Sequence, residues 1–338
     1  MPGIGAGRKL QYGKETTAGT AVAASKIWAG EATAIEDALV TQFVKEDIGY
    51  IAPRLRTYVP QKFAKYAMPA TPFTFEQGLI PLTSIKNVVS GASDGSGSDK
   101  VYDYVAHYLA SSLNTFQTWT LEAGDNQQAE RMEYAYVADF TLEGKAGEAW
   151  MISANWEGRQ ASTNSFTGAL AVPTTLEEAL FGKTKLYIDA SGGTMGSTQK
   201  TSTLLAATLK WKTGIVPVFT GDGNLYFTFA KFGLRPEVSL EITFEHDSTS
   251  VAEKAAWRAG STRLVSLVCQ GSAVQTPGST YTYKTLAINL AGRYEKFDVL
   301  DEDQNGDSIY KATLTAGRSD TDSAFAEIIV VNEVSSIP

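Results

Sequence analysis

Strict alternation of apolar and polar side chains recurs in this chain and leaves few folds open to it. In residues 136–156 the apolar Tyr136, Ala138, Phe140 and Leu142 alternate with Val137, Asp139, Thr141 and Glu143. Gly144 to Gly147 then turns the chain into Trp150, Ile152, Ala154 and Trp156. A second stretch repeats the plan. Residues 225–232 lead to a turn at 233–236, after which Val238, Leu240, Ile242 and Phe244 alternate with Ser239, Glu241, Thr243 and Glu245. Successive strand side chains point to opposite faces, so each copy puts one face on a core and the other in water. Two such copies, with little catalytic chemistry nearby, predict a structural β building block.

The 338 residues exceed what one small core needs, and two domains are the preferred division. A net charge of −8, from 29 Lys+Arg against 37 Asp+Glu, sets the overall field against nucleic acid and anionic membranes. It is spread evenly: residues 1–185 hold 16 basic and 20 acidic side chains, leaving 29 − 16 = 13 and 37 − 20 = 17 in the rest. One cysteine excludes an internal disulfide, and two histidines offer little for a transition metal. No cofactor or metal is expected. The N-terminal residues lack the apolar stretch of a signal peptide and no run is long enough to span a bilayer, so synthesis in a reducing cytoplasm is expected.

Residues 1–30, rich in Gly, Ala and Thr, read as an arm that orders only against a neighbour. A first β domain is then expected over 31–185 and a second over 186–338. Residues 91–99 have the composition of a flexible loop. Val101, Val105, Tyr108 and Leu109 are spaced for a short amphipathic helix over 101–113. Thr174 and Glu177 match a capping box for another, ended by Gly182. Strands are predicted over 116–122, 133–142, 149–156, 205–211, 262–269, 285–290, 309–315 and 325–331, with a helix over 250–259. The fold class is mainly β: two tandem sandwiches or barrels, each with a flanking helix, plus long loops.

Motifs suggestive of chemistry have simpler readings. Gly91-Ala-Ser-Asp-Gly95 matches a nucleophile elbow, yet lacks the strand before and helix after that expose the serine. Gly3-Ile-Gly-Ala-Gly7 has no βαβ unit around it. Asp301 to Asp307 begins like a calcium loop, but Ala312 stands where a bidentate Glu is required, and Asn305-Gly306 suits a tight hairpin turn. Cys269 closes an apolar run and has no third group to orient His246 toward it; His107 reads as a packed side chain. Asp139, Glu143, Glu241 and Glu245 sit on wet strand faces, where carboxylates serve solubility more often than glycoside chemistry.

The segment order resembles the major tail tube proteins of long-tailed, non-contractile bacteriophages. The resemblance is carried by residues 10–22, with Gly13, Glu15, Gly19 and Thr20, and by Thr118-Trp-Thr-Leu-Glu-Ala-Gly-Asp125. The 140–159 hairpin, the 301–307 turn followed by Thr313-Leu314, and a last strand ending at Val331-Asn332 complete it. It implies a tube-forming β-sandwich whose inner sheets join across subunits into one barrel, with rings stacked and bridged by long loops or arms. A doubled chain is similar to members in which three subunits form a pseudo-hexamer. It implies a non-enzymatic virion protein, assembled in the host bacterial cytoplasm, whose partners are further copies of itself, a tape-measure-type scaffold, and tail terminator and distal tail proteins. DNA would pass through the lumen without specific binding, and no membrane is involved.

A lumen must let a polyanion slide, and each Lys or Arg on a phosphate adds affinity. Asp139, Thr141, Glu143, Ser239, Glu241, Thr243 and Glu245 are therefore the expected lumen-facing set. Lys210 and Lys212 would be awkward there, which places their strand outside or at a subunit interface. Rival readings are a decoration or neck protein, and a carbohydrate-binding or carbohydrate-cleaving module using some of Trp28, Trp119, Trp150, Trp156, Trp211 and Trp257 as a sugar platform.

Overall fold

The computed structural model describes residues 3–52, 55–298, 301–302 and 306–337. Its first half contains β1 (Lys9–Lys14), β2 (Lys26–Ile27), β3 (Glu36–Phe43), β4 (Thr57–Pro72), β5 (Lys100–Val105), β6 (Trp119–Gly124), β7 (Ala129–Lys145), β8 (Met151–Gly158) and β9 (Gln160–Asn164). The second half contains β10 (Thr184–Ala190), β11 (Gln199–Lys200), β12 (Leu204–Lys212), β13 (Ile215–Val218), β14 (Phe229–Phe232) and β15 (Glu237–Glu245). After the helix α1 (Ser248–Arg258) come β16 (Arg263–Ala273), β17 (Tyr283–Phe297), β18 (Asp301–Glu302), β19 (Ser308–Ala316) and β20 (Ala326–Asn332). The protein is mainly β, and every strand pair is antiparallel.

One long sheet crosses the whole chain in the order β3-β4-β8-β7-β12-β15-β19-β17. The first four and last four strands follow the same order relative to the chain: first, second, fourth, third. Two shorter sheets cover its apolar face. One runs β2-β1-β6-β7-β9, the other β11-β10-β16-β17-β20, with β5 added beyond β20. β7 and β17 are the longest strands of their halves' hairpins because each serves both layers. Residues 129–135 of β7 pair in the covering sheet and 136–145 in the long one.

Alternation decides which face is dry. Phe140, Leu142, Ile152, Leu209, Trp211, Leu240, Ile242, Phe244 and Leu314 are all at most 1% exposed and join one core that includes Leu10, Trp119, Ile288 and Val330 from the covering sheets. Burial of side chains this large, at about 1.5–3 kcal/mol each, is what holds the layers together. Phe140 and Trp211 stack across the β7–β12 seam with ring centres 5.8 Å apart.

Several expectations are corrected. Residues 9–14 are not part of an arm awaiting a neighbour: they form β1, with Leu10 and Tyr12 buried against β6. The predicted helix over 101–113 is β5, paired with β20, followed by a short 3₁₀ turn at Ala110–Ser112; Tyr102 and Tyr104 are buried by strand parity. The capping box at Thr174 forms no helix, because Glu177 is drawn instead to the Ser272 backbone N–H, 2.6 Å, and to Lys284, 3.2 Å. The predicted flanking helix of the first half is therefore absent among the described residues, and a buried 3₁₀ turn at Pro81–Ser84 packs on β7 where α1 packs on β17.

The second half does contain its helix, capped by Asp247, whose carboxylate accepts the Ser250 N–H at 2.9 Å. The 225–244 hairpin does not form. β14 pairs with β13, and β15 lies between β12 and β19. Residues 91–99 are pinned rather than free: the Asp94 carboxylate accepts the backbone N–H groups of Ser279, Thr280 and Tyr281, and Asp99 is fully buried.

Candidate functional site

Alternation gives the long sheet an extended polar face. Residues directly opposite in antiparallel strands share a face, so register reads it out row by row. Ala67, Asn155, Asp139, Lys212 and Glu237 form one row. Ser153, Thr141, Lys210, Ser239, Thr315 and Arg293 form the next. Met151, Glu143, Thr208, Glu241, Thr313 and Lys296 follow, then Lys145, Ala206, Thr243 and Lys311, and finally Glu245, Ile309 and Asp301.

All seven residues expected to share a wet surface, Asp139, Thr141, Glu143, Ser239, Glu241, Thr243 and Glu245, therefore lie on one face, across both halves. Lys210 and Lys212 lie there too. The expectation that their strand sits outside or at an interface is corrected: β12 is central, and Lys210 falls between Thr141 and Ser239. The reason is that β12 continues the sheet of the first half, which its own alternation cannot reveal.

The face carries both signs interleaved, with a small acidic excess. Its rows, with the flanking row Glu36, Lys65 and Glu157 and with Glu295, whose carboxylate accepts the Thr315 hydroxyl at 2.6 Å, carry nine carboxylates (Glu36, Asp139, Glu143, Glu157, Glu237, Glu241, Glu245, Glu295, Asp301) and seven cations (Lys65, Lys145, Lys210, Lys212, Arg293, Lys296, Lys311). Lys212 meets Glu237 at 2.6 Å, and the Asn155 amide donates to Asp139 at 2.7 Å. Strand neighbours lie about 5 Å apart, so opposite charges in adjacent positions largely cancel beyond the first solvent layer.

A buried carboxylate sets the corner where β7 leaves the covering sheet. Tyr134 adopts φ +54°, in the left-handed region that non-glycine residues seldom occupy. Its backbone N–H donates to Glu15 at 2.8 Å, as do the Gly19 N–H at 2.8 Å and the Thr120 hydroxyl at 3.0 Å. Burial pushes the Glu15 carboxyl upward while these donors pull it down, with a net rise. Gly19 has φ +77°, and a side chain there would strike the Arg159 guanidinium, which lies over the Tyr134 ring at 4.8 Å. The Gly13-x-Glu15-x-x-x-Gly19-Thr20 pattern is thus a corner lock, a role legible only once β7 is placed beside it.

The β13–β14 hairpin docks on that corner. Phe227 is 1% exposed and meets Tyr134 edge-on at 5.1 Å, and the Ala230 N–H donates to the Tyr134 hydroxyl at 3.1 Å.

The other chemical motifs do not assemble. Cys269 is buried facing the Leu180 carbonyl, with its thiol pushed up to about 11 by burial, whereas His246 packs edge-on against Tyr310. His107 packs edge-on against Phe232 at 4.5 Å. Trp28, Trp119, Trp150, Trp156 and Trp211 are buried, and Trp257 packs against Phe297, so the tryptophans build no exposed sugar platform. Of the 301–307 turn, residues 303–305, which include Asn305, lie outside the described residues; the flanking β18 and β19 pair with each other. No group of three or more potential metal ligands occurs among the described residues, and no helix among them is long and apolar enough to cross a membrane.

Fold and face together define a class: a layered antiparallel β protein with a broad polar sheet face of mixed charge. No protein-family model matches the chain, and no curated protein matches it.

Proposed function

We propose that this chain is a self-assembling virion protein whose long sheets join across subunits into a tail tube, a non-enzymatic conduit for DNA. The observation that carries the reading is the sheet of eight strands, mostly polar on one face, whose terminal strands have one strand partner each. β3 pairs only with β4, and the 293–297 part of β17 only with β19, among the described residues. Open strand edges invite pairing with another chain, and a closed barrel removes them.

The recurring strand order supports reading the chain as two tandem tube-type domains, split near residue 185. Three copies would then make a pseudo-sixfold ring of roughly 24 strands, about 48 Å across between backbones at a spacing of ~4.8 Å and a tilt of ~40°. The polar face would line the lumen, with Asp139, Thr141, Glu143, Ser239, Glu241, Thr243 and Glu245 among its lining residues. Interleaved charge keeps such a surface hydrated while offering DNA no continuous cationic track. Its other partners would be a length-setting scaffold and the proteins closing each end of the tail, with assembly in the bacterial cytoplasm.

Negative-stain microscopy of the concentrated protein tests this. Stacked rings or hollow tubes are expected; a monomer that stays dispersed at every concentration and after mild heating refutes it.

A further inference from the structure

The large apolar side chains left exposed are not scattered. Of eighteen among the described residues, seven fall between residues 39 and 58, including Phe43 at 70%, Tyr50 at 79% and Ile51 at 106%. Four more, Tyr108, Leu109, Leu113 and Leu234, line a single groove of about 770 Å³ completed by Phe325 and Arg318. Clustered apolar surface of this kind marks contact sites.

Register places both patches at the same end of the long sheet. β4 pairs with β8 through residues 64–72 and with β3 through 57–65, so the β3–β4 ribbon projects past the last β8 pair, Ala64 with Gly158. The groove lies between the segment that enters β15 at Glu237 and the segment that leaves β19 at Ala316, beside Gly292 of β17. Ribbon and groove therefore stand at opposite lateral ends of one rim. A neighbour placed edge to edge would bring its ribbon next to this groove.

The chain already makes the equivalent contact within itself. The segment joining β12 to β15 corresponds in sheet order to the segment joining β3 to β4. Its hairpin leans over the adjoining strand, β7, and buries Phe227 against Tyr134 and Tyr136, while Phe232 meets Phe116 at 5.5 Å. β17 holds β7's place in the second half, and the groove sits at its rim.

We infer that the β3–β4 ribbon of one copy seats its apolar tip in the groove between residues 107–113, 233–236 and 316–325 of a laterally adjacent copy. The inference rests on the assembly reading above and deepens it by naming the joint between neighbours in a ring.

Mixing two single-cysteine-added proteins, Ile51→Cys and Leu113→Cys, tests it, since a disulfide between them can only join two copies. The native Cys269 is buried and does not compete. After oxidation with copper–phenanthroline, the mixture is expected to give at least tenfold more cross-linked dimer than either protein alone, and unfolding curves check that both variants fold. A Val172→Cys protein provides the alternative partner, in a different exposed surface. Rings or tubes without the Ile51–Leu113 cross-link, or with an Ile51–Val172 cross-link instead, overturn this inference and leave the assembly reading standing. Cross-linking without rings supports the joint and overturns the tube. Neither cross-link nor rings overturns both.

Discussion

Trp211→Ala tests whether the two halves are one folding unit. Trp211 is 1% exposed on β12, stacked on Phe140 of β7 with planes 16° apart, and its indole N–H has no partner among the described residues. Its loss is therefore a packing loss. Truncating a buried Trp to Ala costs about 3–5 kcal/mol, because the surrounding side chains refill the cavity only in part. An unfolding entropy of roughly 2.1 cal/mol/K per residue gives this chain about 0.7 kcal/mol/K, so the melting temperature should fall by about 4–7 °C.

The core runs without interruption from Leu10 to Val330 and crosses the seam at this residue pair. Scanning calorimetry should thus show one transition moved as a whole, with Thr208→Ala, on the polar face of the same strand, moving it by less than about 1 °C. Two resolved transitions, of which the substitution moves only one, would refute the shared core.

Glu15→Ala should destabilise the fold by on the order of 3 kcal/mol in chemical denaturation, since it strands the Tyr134 and Gly19 N–H groups in a buried corner; a loss under about 0.5 kcal/mol would show the corner to be held otherwise. Burial, then the neighbouring Glu327 carboxylate, push the Asp103 carboxyl up to about 6 against the pull of Lys86. A raised folded value means a contribution present below the ordinary carboxylate range and lost as pH rises through 6. Asp103→Asn should therefore gain melting temperature on the native protein between pH 4 and 7, and a gap constant across that window would remove the effect. Changing Asp139, Glu143, Glu241 and Glu245 together to Lys shifts the polar face from a small acidic excess to strongly cationic. Assembly should persist while genome delivery slows, and unchanged infectivity would take these residues out of the lumen.

Local alternation was enough to assign the residues of β7, β8, β12, β15, β16, β19 and β20 to strands, to find the helix near Ser250, and to sort Phe140 from Asp139 or Ile242 from Glu241. Side-chain parity is a property of neighbours along the chain, so it survives in the sequence. The pattern over 101–113 failed because Val101, Val105, Tyr108 and Leu109 satisfy a helical spacing that pairing with β20 overrides. Which strands adjoin is different in kind. It depends on contacts between residues far apart in sequence, and nothing local to 225–244 distinguishes a hairpin from two strands with separate partners. Only the tertiary structure could place β12 between β7 and β15, bring Lys210 onto the same surface as Thr141, and set Glu15 beneath Tyr134, because burial and hydrogen-bond satisfaction are decided across the whole core at once.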